Sequence, residues 1–185
     1  MILNVLIVLA WVVVAVVVWG VRLFETRQDI TRHDTGELYL RRFFLWRGKS
    51  GRLLLHKFYR GDEDPHLHDH PWSFNSLILT RGYWEETPSH YYPADCGTFD
   101  PELQVIEGEV RKRIFYPRFS YLRRPAEWQH RVILKDKKPV WTLVYTRTKS
   151  RDWGFWIKDK LCPWRNYSQG VCWCGPEQEQ QKTEG

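Results

Sequence analysis

The segment Asp64-Pro65-His66-Leu67-His68-Asp69-His70-Pro71-Trp72 sets a histidine at every second position. Residues two apart in an extended chain point to one face, so His66, His68 and His70 are expected to share a side. Three charged imidazoles on one face would repel. Neutral ones carry lone pairs that suit a divalent ion. A lone histidine there would read as part of a surface loop, but three at this spacing point to metal. His130 stands downstream, after Pro125-Ala126-Glu127-Trp128-Gln129. Of the nearby acids, Asp62, Glu63 and Asp64 read as solvated turn carboxylates. Glu127 is read as a partner that orients an imidazole. Asp69 alternates away from the histidines, so it is expected to bond backbone or a neighbouring strand.

Rigid elements must hold such a cluster. The chain has 185 residues, 16% of them aromatic and 11 of them Trp. It can therefore bury a core, which excludes disorder for most of its length. From 38 onward, short apolar and aromatic runs alternate with Gly, Pro and charged turns. Strands are predicted near 38–46, 52–60, 74–80, 83–86, 104–107, 111–116, 119–123, 130–135, 139–147 and 153–158. Strands at this spacing, without a long helical period between them, predict an all-β sandwich or barrel. Before them, residues 1–24 carry the apolar run ILNVLIVLAWVVVAVVVWGV, long enough for a transmembrane helix. Arg22 and Arg27 follow it, and this order of charge predicts a single-pass anchor with the domain facing the cytoplasm. Residues 25–37 read as a polar juxtamembrane linker, 38–175 as the domain with a C-terminal extension, and 176–185 as a disordered tail.

The two histidine-bearing stretches resemble the cupin superfamily. In its first motif, His-x-His is followed by Glu and then Gly at set distances. Here His68-Asp69-His70 is followed by four residues and Asn75, then six residues and Gly82. Asn thus stands where Glu is usual. The second motif contains Pro-x-Gly-x-x-His, matched by Pro125 and His130, with Glu127 in the Gly position. The resemblance covers roughly residues 38 to 158. His-Asp-His-Pro-Trp and the later Arg151-Asp152-Trp153-Gly154-Phe155-Trp156 are similar to a largely uncharacterised group of bacterial and phage cupin-like proteins. The resemblance implies a jelly-roll (double-stranded β-helix) barrel with His68, His70 and His130 as metal ligands. Asn75 is then a metal or substrate contact, and His66 a spare histidine that either replaces one ligand or lies at the mouth as a catalytic acid/base.

A site of three imidazoles keeps the ion's full charge, which suits a small anionic substrate. It is similar to the three-histidine iron site of the thiol dioxygenases, which are cupins. The resemblance therefore implies Fe(II) and an oxygenase, with Zn, Mn or Ni as other metals. A non-catalytic membrane-tethered cupin module and a cupin isomerase or epimerase stay open as alternatives. No further cofactor is implied, and a dimer stays open.

The remaining features carry less chemistry. A net charge of +6 fits anionic partners or simple solubility. Lys57, Arg60, Arg113, Arg123 and Arg131 are candidate anion binders on strands, although surface placement is the usual fate of such residues. His33, His56 and His90 read as structural or exposed. The Trp-rich stretch 153–173 is expected to pack across the barrel, and nucleic acid is disfavoured because no known module is visible. Cys172-x-Cys174 lacks the C-x-x-C zinc spacing, so Cys96, Cys162, Cys172 and Cys174 are expected to be free thiols.

Overall fold

The computed structural model describes residues 2–32, 35–62, 64–91, 102–106 and 109–172. It opens with helix α1 (Ile2–Glu25) and strand β1 (Gln28–Thr31). There follow β2 (Leu38–Gly48), β3 (Gly51–Phe58), β4 (Leu67–His68), β5 (Phe74–Ile78), β6 (Gly82–Pro88), β7 (Glu102–Ile106) and β8 (Glu109–Pro117). The chain continues through β9 (Tyr121–Arg124), β10 (Arg131–Leu134), β11 (Val140–Arg147), β12 (Gly154–Ile157), β13 (Lys160–Pro163) and α2 (Trp164–Ser168).

Two antiparallel sheets make the barrel, one in the order β1-β2-β3-β11-β5-β9 and one in the order β10-β6-β8-β7. The chain crosses between the sheets from β5 to β6, from β8 to β9, from β9 to β10 and from β10 to β11, which gives the jelly-roll wind. The sequence dictates the facing surfaces through its period of two. Along β11, Val140, Thr142, Val144 and Thr146 are buried, while Trp141, Leu143 and Tyr145 are only partly so. Ile78, Leu122 and Val140 of the first sheet meet Tyr83, Ile114, Tyr116, Val132 and Leu134 of the second in one core. Gly82 opens β6 at φ +113°, where a side chain would be strained.

A third sheet, β13-β12-β4, forms a strap continued by α2. The strap is fastened at Asp69, which is fully buried. Its carboxylate accepts from Gly154 N (2.9 Å), Arg151 Nη1 (2.5 Å) and Trp156 Nε1 (3.2 Å). Gly154 has to be glycine, because a Cβ there would lie 1.9 Å from the Cys162 carbonyl oxygen of β13. The strap then turns back at Gly170 (φ +68°), which brings Cys162 and Cys172 to a Cα separation of 5.8 Å as a disulfide. This corrects the expectation of free thiols for that pair. Cys96, Cys174, His33 and the tail 176–185 lie outside the described residues.

The expected linker 25–37 is corrected as well. Within it, β1 pairs with β2, and Arg41 grips Asp29 through two bonds of 2.7 and 2.8 Å. Helix α1 is 24 residues long and mostly Val, Leu and Ile. Its large apolar side chains, from Val5 to Val21 where described, are exposed. Among the described residues no helix is long and apolar enough to cross a membrane.

Candidate metal centre

The backbone brings the histidines together before their side chains act. His68 and His130 exchange both main-chain bonds, at 3.0 and 2.9 Å, and His70 N donates to the Ala126 carbonyl at 2.9 Å. The short strand around His68 is thereby laid against the segment that enters β10. The ligand nitrogens of His68, His70 and His130 all lie within 4.8 Å of one another. Nε2 of His70 and Nε2 of His130 are 2.8 Å apart. Nitrogens sharing one ion at 2.0–2.2 Å sit about 3 Å from each other, so small side-chain rotations complete the set.

The electrostatics favour neutral ligands. Burial, and next the neighbouring His130 and His68, push His70 well below its usual value. Burial also lowers His68, against an opposing pull from Asp62, whose Oδ2 is 4.0 Å from His68 Nδ1. His130 Nδ1 faces Glu85 Oε1 at 2.7 Å. With its proton held there, its Nε2 lone pair is directed at the other imidazoles. Burial would raise the Glu85 carboxyl, but His130 and then Arg124 hold it down at about 2. Arg124 Nη2 and Trp128 Nε1 donate to the same carboxylate at 2.7 and 2.9 Å. Three imidazole nitrogens gathered this closely match the donor set of a divalent ion. A centre of this kind can polarise a bound oxygen ligand or position an anion.

Other predicted residues fall elsewhere. His66 is outside the triple, with its ring 5.9 Å from Tyr167 of α2 and its N bonded to Asp64 Oδ1. Its neighbour β4 is two residues long, so the run of histidines is not one flat strand. Asn75 is on the far face of β5 from the site. Phe74 takes the inward position, 4.8 Å from the His70 ring, and Asn75 pairs with exposed Arg123. The match of Asn75 to the family's Glu is a coincidence of spacing. Glu127 is exposed, and the orienting carboxylate is Glu85.

The turn acids also do more than face water. Asp62 accepts from Tyr39 OH and from Val132 N, and Asp64 accepts from Tyr167 OH. Glu63 lies outside the described residues. Of the candidate anion binders, Arg113 and Arg131 are taken by Glu86, Arg60 bonds Glu37, and Lys57 lies over the Tyr59 and Trp141 rings.

No family model matches the chain, and no curated protein does. Among solved structures, the Fe(II) form of HppE has 11% identity and a TM-score of 0.46, and the alignment covers 66% of this chain. This chain spans 57% of that protein's length. A cupin-2 domain protein from Rhodospirillum rubrum has 11% identity and a TM-score of 0.45, covering 77% of this chain and 78% of its own. KdgF from Halomonas sp. has 15% identity and a TM-score of 0.39, covering 66% and 88%. Several of these neighbours are described as cupin-domain proteins.

Proposed function

We propose that this protein is a membrane-anchored, metal-dependent cupin whose centre holds Fe(II) through His68, His70 and His130 and oxidises a small anionic substrate. The observation that carries this reading is the convergence of three buried or half-buried imidazoles, with His130 fixed by Glu85. Bound there, the ion supplies Lewis-acid and oxygen-activating chemistry. The chain's own residues set the rest. Glu85 and Arg124 offset each other's charge, so the ion's positive charge stays available to an anion. Asp69 holds the strap that brings Phe155 to 6.0 Å from the His68 ring and shields that side from water. His66, next to Tyr167, is assigned the acid/base role at the edge.

The anchor reading rests on α1, whose 24 residues would reach about 36 Å. Arg22 at its end favours a cytoplasmic domain. The Cys162–Cys172 pair pulls the other way, since disulfides persist in oxidising compartments. Protease accessibility of the domain in right-side-out and inside-out vesicles decides the orientation.

The function is tested by metal analysis of the purified full chain, followed by oxygen-consumption assays with small thiols and acids. One iron per chain and turnover with one substrate class are expected. His130→Ala should lose most of the metal, and His66→Ala should keep it while losing turnover. Metal without oxygen consumption would leave a binding module or an isomerase, and absence of any bound metal would end the reading.

A further inference from the structure

The inner face of the six-stranded sheet carries a polar row that the metal centre does not use. Arg42 of β2 pairs across the strands with His56 of β3, and His56 pairs with Thr142 of β11. Cross-strand partners share a face. This face is the inward one, because the flanking residues of the same parity, Leu40, Leu54, Val140 and Val144, are buried. Within the row, Nε of Arg42, Nε2 of His56 and Oγ1 of Thr142 are all buried without a hydrogen-bond partner.

Buried polar atoms are nearly always paired, so three orphans on adjacent strands call for a ligand. Among the described residues, no carboxylate pairs with Arg42. A packing role would be served better by apolar residues of the same shape. The row shares its face of β11 with Thr146, which pairs with Phe74, and the Phe74 ring lies 4.8 Å from that of His70, so the row and the imidazole cluster open on the same interior. Arg42 keeps some exposure, so the row is not sealed from solvent.

We infer that Arg42, His56 and Thr142 form an oxoanion subsite beside the histidine centre, built to take the carboxylate or phosphoryl end of its substrate. A guanidinium, a hydroxyl and an imidazole nitrogen give a set rich in donors, and a guanidinium matches the paired oxygens of such a group. Burial and then Arg42 hold His56 down at about 3, so it enters the subsite uncharged and can donate through Nε2. The substrate would bridge the two places, with its oxoanion on the row and its reacting group toward His68, His70 and His130. This inference rests on the histidine centre being the reaction site.

The test is calorimetric titration of the full chain in detergent with inorganic phosphate and, separately, with malonate. Each is run with the metal-free and the metal-loaded protein. The wild type should bind one of the two probes saturably, and the stronger probe names the oxoanion class. Arg42→Gln and Thr142→Val should each weaken that binding about tenfold or more. His130→Ala should lose metal but keep the anion, which separates failure of the metal reading from failure of the subsite. Thr142→Val removes an unsatisfied buried hydroxyl, so its anion-free Tm should equal or exceed that of the wild type. A wild type that binds neither probe, or variants with unchanged Tm and unchanged affinity, would overturn the subsite.

Discussion

Glu85 decides how His130 presents its lone pair, yet nothing in its neighbourhood marks it out. It sits in Tyr83-Trp84-Glu85-Glu86-Thr87, where two glutamates lie side by side and both are buried. Glu85 faces His130, while Glu86 faces Arg113 and Arg131. Alternation says that one of them points inward but not which. The same holds for Arg41 and Arg42, of which only the second faces the interior. His68, His70 and His130 were legible because their type and spacing are rare together. Asn75 misled because a one-residue offset flips a strand side chain to the other face. Glu85→Gln should weaken metal binding about 10- to 100-fold in a competition titration, while Glu127→Gln should leave it unchanged. The buried histidines also set a pH dependence. His56 is held at about 3 against an ordinary 6.5, so between those values the unfolded chain binds a proton that the folded chain refuses. Stability is then full above 6.5 and falls with acid, by about 1.4 kcal/mol per pH unit for this group. His68 and His70 are shifted in the same direction. The chelated protein should lose Tm steadily from pH 7 to 5, and His56→Gln should make that slope shallower.

At the scale of elements, the long strands of both sheets could be read from alternation and turns, which is why their bounds were close. The short pieces could not. β4 has two residues and takes its strand geometry from β12 and His130, and α2 has five residues and rests on the strap. Such pieces are fixed by tertiary contact, and local propensity is silent about them. The strap is where this dependence can be measured. Asp69→Asn removes a charge from a fully buried group that holds Arg151, Gly154 and Trp156. It should cost about 2 kcal/mol in denaturant unfolding. Limited proteolysis should then cut first in the strap, and metal affinity should fall with it because His68 and His70 flank Asp69. Gly154→Ala should cost about 3 kcal/mol or more, since its Cβ would collide with main chain. A Gly154→Ala protein with wild-type unfolding would show that β12 and β13 can part without loss.

For the whole molecule, removal of residues 1–24 should release the domain from membranes in a flotation assay while leaving metal content intact. Persistent membrane association of the truncated chain would place the attachment elsewhere. The manner of attachment has its own result. Helix α1 ends at Glu25 and β1 begins at Gln28, and β1 is already locked into the barrel by its pairing with β2 and by Arg41. The three steps from Glu25 to Gln28 can span at most about 11 Å. With α1 in a bilayer, the barrel is therefore moored without slack, unable to swing out on a leash into the surrounding fluid. So anchored, it would stay close to the lipid headgroups, and a small dissolved substrate would have to come to it there.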